Sequence, residues 1–165
     1  MSHILLVDDE PNILSALRRC ITGCKRDDQD PIVVETFTSA TKALARMEEQ
    51  DFDVVITDYR MAEMDGVEFL QRVIEINPVT RRMLMSAYAD RDALVAAIND
   101  ARILRFLEKP WNDEELRATI DEVLRARRKG DVRSKAAENR LEAECPGITQ
   151  VERGEDGGII IDPPN

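Results

Sequence analysis

The sequence predicts an α/β fold: a doubly wound parallel sheet of five strands with helices on both faces. Three observations predict it. Apolar runs of strand length alternate five times with segments whose apolar residues recur at helical spacing. The runs at Ile4 to Val7 and Asp53 to Asp58 are continuous, as strands covered on both faces require. Both runs end in carboxylates, Asp8, Asp9 and Glu10 after the first and Asp58 closing the second. In open parallel sheets ligands bind outside the carboxyl ends of the strands, which makes these acids candidates for chemistry.

The first strand gives way to its acidic turn, and Pro11 opens a helix where its missing N–H does no harm. Ile13, Leu14, Leu17 and Ile21 form one stripe on that helix, and Gly23 ends it. Lys25 to Asp30 is polar and reads as a loop, and Ile32 to Phe37 as the second strand. Ser39 caps a helix to about Glu49 with Ala40, Ala43, Leu44 and Met47 facing inward. After the third strand comes a loop from Tyr59 to Asp65. Gly66 then leads into a helix carrying Val67, Phe69, Leu70, Val73 and Ile74, which Asn77 and Pro78 stop. Arg82 to Ser86 predicts a fourth strand, and Asp90 or Asp92 the start of a helix with Leu94, Val95 and Ile98. Ile103 to Leu107 predicts a fifth strand, and Asn112 or Asp113 caps a last helix carrying Leu116, Ile120, Val123 and Leu124. Parallel strands joined through helices call for right-handed crossovers.

At 165 residues and 43% hydrophobic content, the chain is one domain of ordinary size plus an appendage. We place the domain at residues 1–129 and the appendage at 130–165. In the appendage Val132 to Glu144 continues as helix until Pro146 and Gly147, and Ile148 to Glu152 with Ile159 to Ile161 read as a β-hairpin around an acidic, Gly-rich turn. A formal net charge of −10 disfavours a nucleic-acid or anionic-membrane surface. The basic cluster Arg125, Arg127, Arg128 and Lys129 has acidic neighbours and reads as a solvated helix face. No apolar run approaches membrane-spanning length. Cys20, Cys24 and Cys145 show no C-x-x-C spacing and no apolar signal segment opens the chain, which points to a cytoplasmic protein with reduced thiols. A single histidine, His3, makes a zinc site hard to build.

If the first and third strands are neighbours or nearly so, Asp8, Asp9 and Asp58 converge on one crevice. At an effective dielectric of about 20, each pair of carboxylates about 4 Å apart costs about 4 kcal/mol. A raised pKa or a bound hard cation must offset that cost, and an oxygen-only set with few protein ligands suits Mg²⁺. Taken singly, each acid is more plainly a polar residue turning the chain at a strand end.

Five motifs at strand ends change that balance: Leu-Leu-Val-Asp-Asp-Glu at 5 to 10, Thr-Asp-Tyr-Arg-Met at 57 to 61, Met-Asp-Gly at 64 to 66, Ser86-Ala87, and Phe106-Leu-Glu-Lys-Pro-Trp111. From about Ile4 to Arg127 the chain resembles the receiver domain of two-component response regulators. The resemblance implies the flavodoxin-like, CheY-like strand order 2-1-3-4-5. It also implies transfer of a phosphoryl group from a histidine kinase or histidine phosphotransfer protein to Asp58. Asp9 and Asp58, with the Arg60 backbone carbonyl, would hold Mg²⁺ (Mn²⁺ as the alternate) directly, and Asp8 mostly through water. Lys109 and Ser86 would meet the phosphoryl oxygens, Ser86 and Phe106 would form the switch, and Arg60 and Tyr88 would tune hydrolysis. The Lys109–Pro110 bond is expected cis, with Trp111 a packing residue. Ala62 stands where the family typically has proline, which leaves the loop after Asp58 less rigid.

The resemblance thus implies a phospho-acceptor switch that assists its own phosphorylation and dephosphorylation, not an enzyme acting on a separate substrate. A receiver-like scaffold working without phosphorylation is an alternative, against which the complete acidic set and Lys109 argue. A Mg²⁺-dependent phosphatase on a similar sheet wants a second Asp two residues after the nucleophile, where this chain has Arg60. The segment Arg102 to Trp111 is similar to receivers that precede cyclic-dinucleotide phosphodiesterase domains, yet residues 130–165 match no output domain. Output is therefore expected through protein contacts of the last strand, last helix and tail, with an unidentified downstream protein and with a second subunit, docking of the tail on its own receiver domain being the alternative to the dimer.

Overall fold

The structure, a computed structural model, describes residues 1–23, 31–87 and 101–126. Its elements are β1 (Ser2–Val7), α1 (Pro11–Thr22), β2 (Ile32–Phe37), α2 (Ala40–Glu49), β3 (Val54–Asp58), α3 (Gly66–Ile76), β4 (Arg81–Ala87) and β5 (Arg105–Lys109). A further helical segment spans 113–126. The five strands are all parallel, in the order β2-β1-β3-β4-β5. Met1–Arg125 forms one compact unit that holds the sheet.

Each sheet face buries its own core. On one, Ile4, Leu6, Ile56, Met83 and Met85 meet Leu14, Leu17 and Ile21 of α1 and Leu116, Ile120, Val123 and Leu124 of the last helical segment. On the other, Leu5, Val7, Val55 and Leu84 meet Ala40, Ala43, Leu44 and Met47 of α2 and Val67, Phe69, Leu70 and Val73 of α3. Successive strand residues point to opposite faces, so a run of apolar residues serves both cores at once. All five residues of β3 are buried.

The caps follow from local chemistry. Ser39 Oγ accepts from the Lys42 N–H at the start of α2, Asp65 Oδ1 from Glu68 N–H at the start of α3, and Asn112 Oδ1 from Glu114 and Glu115 N–H at the start of the last helix. Pro11 stands at the head of α1 and Gly23 closes it. The Lys109–Pro110 bond is cis.

The fifth strand departs from the expectation of Ile103 to Leu107, running Arg105–Lys109 instead. The apolar pair at 103 and 104 misleads because β5 is an edge strand that exposes Arg105 and Glu108. Ile103 packs against the α2–α3 core ahead of the strand, and Leu104 is 40% exposed. The buried Arg82 side chain pins this approach, its Nε donating to Ala101 O (3.1 Å) and its Nη1 to Thr80 O (2.5 Å). The shift brings Lys109 into the sheet, in register with Ala87 of β4. Tyr88, the helix expected from Asp90 or Asp92, the loop 25–30, and the continued helix, tail and hairpin of 130–165 lie outside the described residues.

Candidate functional site

The site is built at the carboxyl ends of β1, β3, β4 and β5. Register sets it: Val7 of β1 lies opposite Thr57 of β3, so the chain continues from these neighbours directly into Asp8 and Asp58. Asp8 is 1% exposed and Asp58 8% exposed. Asp8 is held by its backbone N–H, which donates to Phe37 O (3.2 Å), and by its Oδ1, which accepts from Glu10 N–H (2.8 Å). Lys109 reaches across the end of β4 to both acids. Its Nζ stands 2.8 Å from Asp8 Oδ2 and 2.8 Å from Asp58 Oδ1. One ammonium thus bridges two buried carboxylates, and these charge-assisted hydrogen bonds offset much of their repulsion.

The electrostatics of the pair run in opposite senses. Burial pushes the Asp58 carboxyl above its ordinary 3.8; the Lys109 hydrogen bond and charge work against that, and the Asp8 charge adds to it. For Lys109 burial alone favours the neutral amine, but the hydrogen bonds and charges of Asp58 and Asp8 outweigh it and raise the ammonium above its ordinary 10.5.

Asp8, Asp9 and Glu10 form a second feature of the same rim. One carboxylate oxygen from each lies within 4.8 Å of the others, with Asp9 and Glu10 exposed. An all-carboxylate donor set beside the buried Asp58 fits a hard divalent cation such as Mg²⁺, which keeps several of its waters.

The loop after Asp58 is closed by the backbone. Tyr59 N–H donates to Met85 O and Gly66 N–H to Tyr59 O, both at 2.8 Å. Gly66 is required here by close approach, because a Cβ at this position would lie 2.2 Å from the Asp58 carbonyl oxygen and 2.7 Å from Leu84 Cδ1. The glycine of the Met-Asp-Gly motif therefore lets α3 begin against the backbone of the candidate acceptor.

A family model described as the response regulator receiver domain matches residues 4–121. The chain belongs to the response regulator receiver domain family. Among curated relatives it is 36% identical over 121 residues to the hydrogenase transcriptional regulatory protein HoxA of Bradyrhizobium diazoefficiens, covering 73% of this chain and 24% of HoxA. It is 30% identical over 151 residues to the transcriptional regulatory protein ZraR of Escherichia coli K12, covering 92% of this chain and 30% of ZraR. The chain thus spans about a quarter of the length of the curated relatives it matches. Among solved structures, the signal receiver domain of an HD domain-containing protein from Pseudomonas fluorescens Pf-5 superposes with a TM-score of 0.71 at 30% identity, covering 80% of this chain and 93% of that one.

The receiver brings together Asp8, Asp58 and Lys109, and groups Asp9 with Asp8 and Glu10. Ser86 is 1% exposed at the end of β4, its Oγ–H directed to Ala87 O at 3.3 Å. Half-buried Phe106 lies in register with Leu84 and packs against the α2–α3 core. Arg60 is exposed in the loop after the acceptor. Glu10, named among the strand-end acids but not in the expected metal set, joins Asp8 and Asp9 here. Among the described residues, no helix is long and apolar enough to cross a membrane.

Proposed function

We propose that this receiver takes a phosphoryl group on Asp58 from the phosphohistidine of a histidine kinase or histidine phosphotransfer protein. The observation that carries the reading is the Lys109 ammonium at 2.8 Å from both Asp8 and Asp58 at the carboxyl end of the sheet. An Asp58 carboxylate oxygen forms the new P–O bond as the P–N bond of the phosphohistidine breaks, and the imidazole leaves with a proton. Lys109, fixed by its two carboxylates, lies close enough to Asp58 for its ammonium to meet a phosphoryl oxygen arriving there. The Ser86 hydroxyl, buried two strands from Asp8, donates to another phosphoryl oxygen after turning from the Ala87 carbonyl, and Phe106 turns inward behind it.

Asp8, Asp9 and Asp58, with the Arg60 backbone carbonyl, are the residues that would hold Mg²⁺ or Mn²⁺, Asp8 mostly through water. When bound, the ion supplies positive charge against the phosphoryl oxygens. Arg60 and Tyr88 are proposed to tune hydrolysis of the acyl phosphate, so the receiver assists its own dephosphorylation. Output passes to a downstream protein through contacts that depend on Ser86 and Phe106. Incubation with acetyl phosphate and Mg²⁺ tests the reading on a phosphate-affinity gel. Wild type shifts and Asp58→Asn does not; a variant that shifts to the wild-type extent overturns it.

A further inference from the structure

The loop between β3 and α3 is held at its ends by backbone bonds and in its middle by side chains. Its ends are tied by the Tyr59 and Gly66 backbone bonds and by the Asp65 cap. Residues 60–64 between them include no proline to set φ by a ring, since Ala62 stands there. Met61 is held from the inside: it packs on the α2–α3 core, and Thr57 Oγ1–H donates to its sulfur at 3.6 Å. Glu63 holds the outside. Its Oε2 accepts from the Thr41 N–H at 3.0 Å and from the Thr41 hydroxyl at 2.7 Å.

Thr41 is the second residue of α2, whose first N–H groups have no partner within the helix. No acidic residue stands in the first turn of α2 itself, so the positive end of the helix dipole takes its anion from the acceptor loop. The Thr41 hydroxyl, then the Ser39 hydroxyl and the Thr41 N–H, hold the Glu63 carboxyl down at about 2, so it is fully ionised at neutral pH. The start of α2 is also close in sequence to a fixed point of the site: Phe37, two residues before the Ser39 cap, accepts the Asp8 N–H. Glu63 therefore connects the loop after Asp58 to the segment that holds Asp8.

We propose that Glu63 is a positioning residue of the acceptor site: bound at the amino end of α2, it fixes the loop that presents the Arg60 carbonyl, a side-chain tether in place of a proline ring. The inference rests on the reading of Asp58 as acceptor and of that carbonyl as a metal ligand. Glu63 touches neither the acceptor nor the incoming phosphoryl group; it acts through the backbone of the two residues, Met61 and Ala62, between itself and Arg60. Thr41 is its partner, and the pair sets how well the loop is organised before the metal arrives.

Amide exchange of residues 60–64 in metal-free protein, and Mg²⁺ affinity from the Mg²⁺-dependent rise in unfolding free energy, test this on wild type, Glu63→Ala, Glu63→Gln and Thr41→Val. Glu63→Ala is expected to speed exchange in the loop about tenfold and weaken Mg²⁺ binding about three- to tenfold, the range that loss of a helix-capping contact spans. Glu63→Gln keeps an acceptor oxygen and Thr41→Val keeps the N–H, so both fall between. Arg72→Ala, which cuts the exposed Arg72–Glu68 pair on α3, changes neither readout. Unchanged loop exchange and Mg²⁺ affinity in Glu63→Ala, with Asp58 still labelled, would overturn the tether. A phosphoryl group found elsewhere than Asp58 overturns the acceptor reading instead, so the two failures are distinct.

Discussion

Replacing Lys109 by methionine keeps the length of the stem and deletes a charge that bridges Asp8 and Asp58. Both carboxylates are buried, and because each has an oxygen 2.8 Å from the same nitrogen, those oxygens lie no further apart than twice that distance. Two like charges about 6 Å apart at an effective dielectric of about 20 repel by about 3 kcal/mol. Removing one partner from a buried ionic cluster costs about 3–5 kcal/mol, which agrees with that repulsion plus the lost hydrogen bonds. For a domain of this size it corresponds to a fall in Tm of about 10–20 °C. Urea unfolding in metal-free buffer at pH 7, followed by fluorescence of the single tryptophan, Trp111, measures it. The double variant with Asp58→Asn separates cause from accident: removing one of the two charges should return about 3 kcal/mol in the Lys109→Met background, and less where Lys109 is present. Millimolar Mg²⁺ should narrow the defect of Lys109→Met by supplying the missing positive charge. A loss under about 1 kcal/mol, or an Asp58→Asn effect of equal size in both backgrounds, would refute the electrostatic account.

Three further outcomes follow from the same geometry. Because burial raises the Asp58 carboxyl above 3.8, its ionised form is disfavoured in the fold, so Asp58→Asn should melt higher than wild type at pH 7, the gap closing as pH falls through the raised pKa; thermal melts from pH 7 to 4 show the trend. The raised Lys109 contributes stability that is whole below pH 10.5 and lost as pH climbs through its higher folded value, so wild type should lose more stability than Lys109→Met in alkaline urea melts. Gly66→Ala forces a Cβ into the Asp58 carbonyl oxygen and Leu84, and should cost about 1–3 kcal/mol in urea unfolding and slow labelling by acetyl phosphate; a variant with wild-type stability would mean that α3 does not begin against Asp58.

Helical periodicity made most of the helix cores legible, though it missed buried Cys20 on α1 and counted half-buried Ile74 in the stripe of α3. Ala40, Ala43, Leu44 and Met47 of α2, and Leu116, Ile120, Val123 and Leu124 of the last helix, are all buried as their spacing predicts. The central strands were equally plain because burial on both faces leaves a continuous apolar run. The edge strand β5 was misplaced by two residues for the opposite reason: it carries Arg105, Glu108 and Lys109 in place of a continuous apolar run, and the apolar pair ahead of it belongs to the approach. Asp8 and Asp58 were readable as carboxylates at strand ends, and Lys109 entered through the family resemblance. That Lys109 bridges the two acids depends on a contact across 101 residues of sequence, which no local pattern encodes. The Glu63–Thr41 bond was equally invisible, joining two exposed side chains 22 residues apart that carry no periodic signal. Gly66 was read as the lead into a helix; only the packing of α3 against the Asp58 backbone explains why nothing larger fits.

The identity of the acceptor is settled most directly by trapping the acyl phosphate. Reduction of the phosphorylated protein with borohydride converts an acyl-phosphate aspartate to homoserine, which peptide mass spectrometry locates. Homoserine is expected at position 58 alone, in a Mg²⁺-dependent yield, and none when the ion is chelated. Homoserine at Asp8, Asp9 or Asp65 in place of Asp58, or a protein that carries no reducible phosphoryl group after treatment with acetyl phosphate and Mg²⁺, would contradict it.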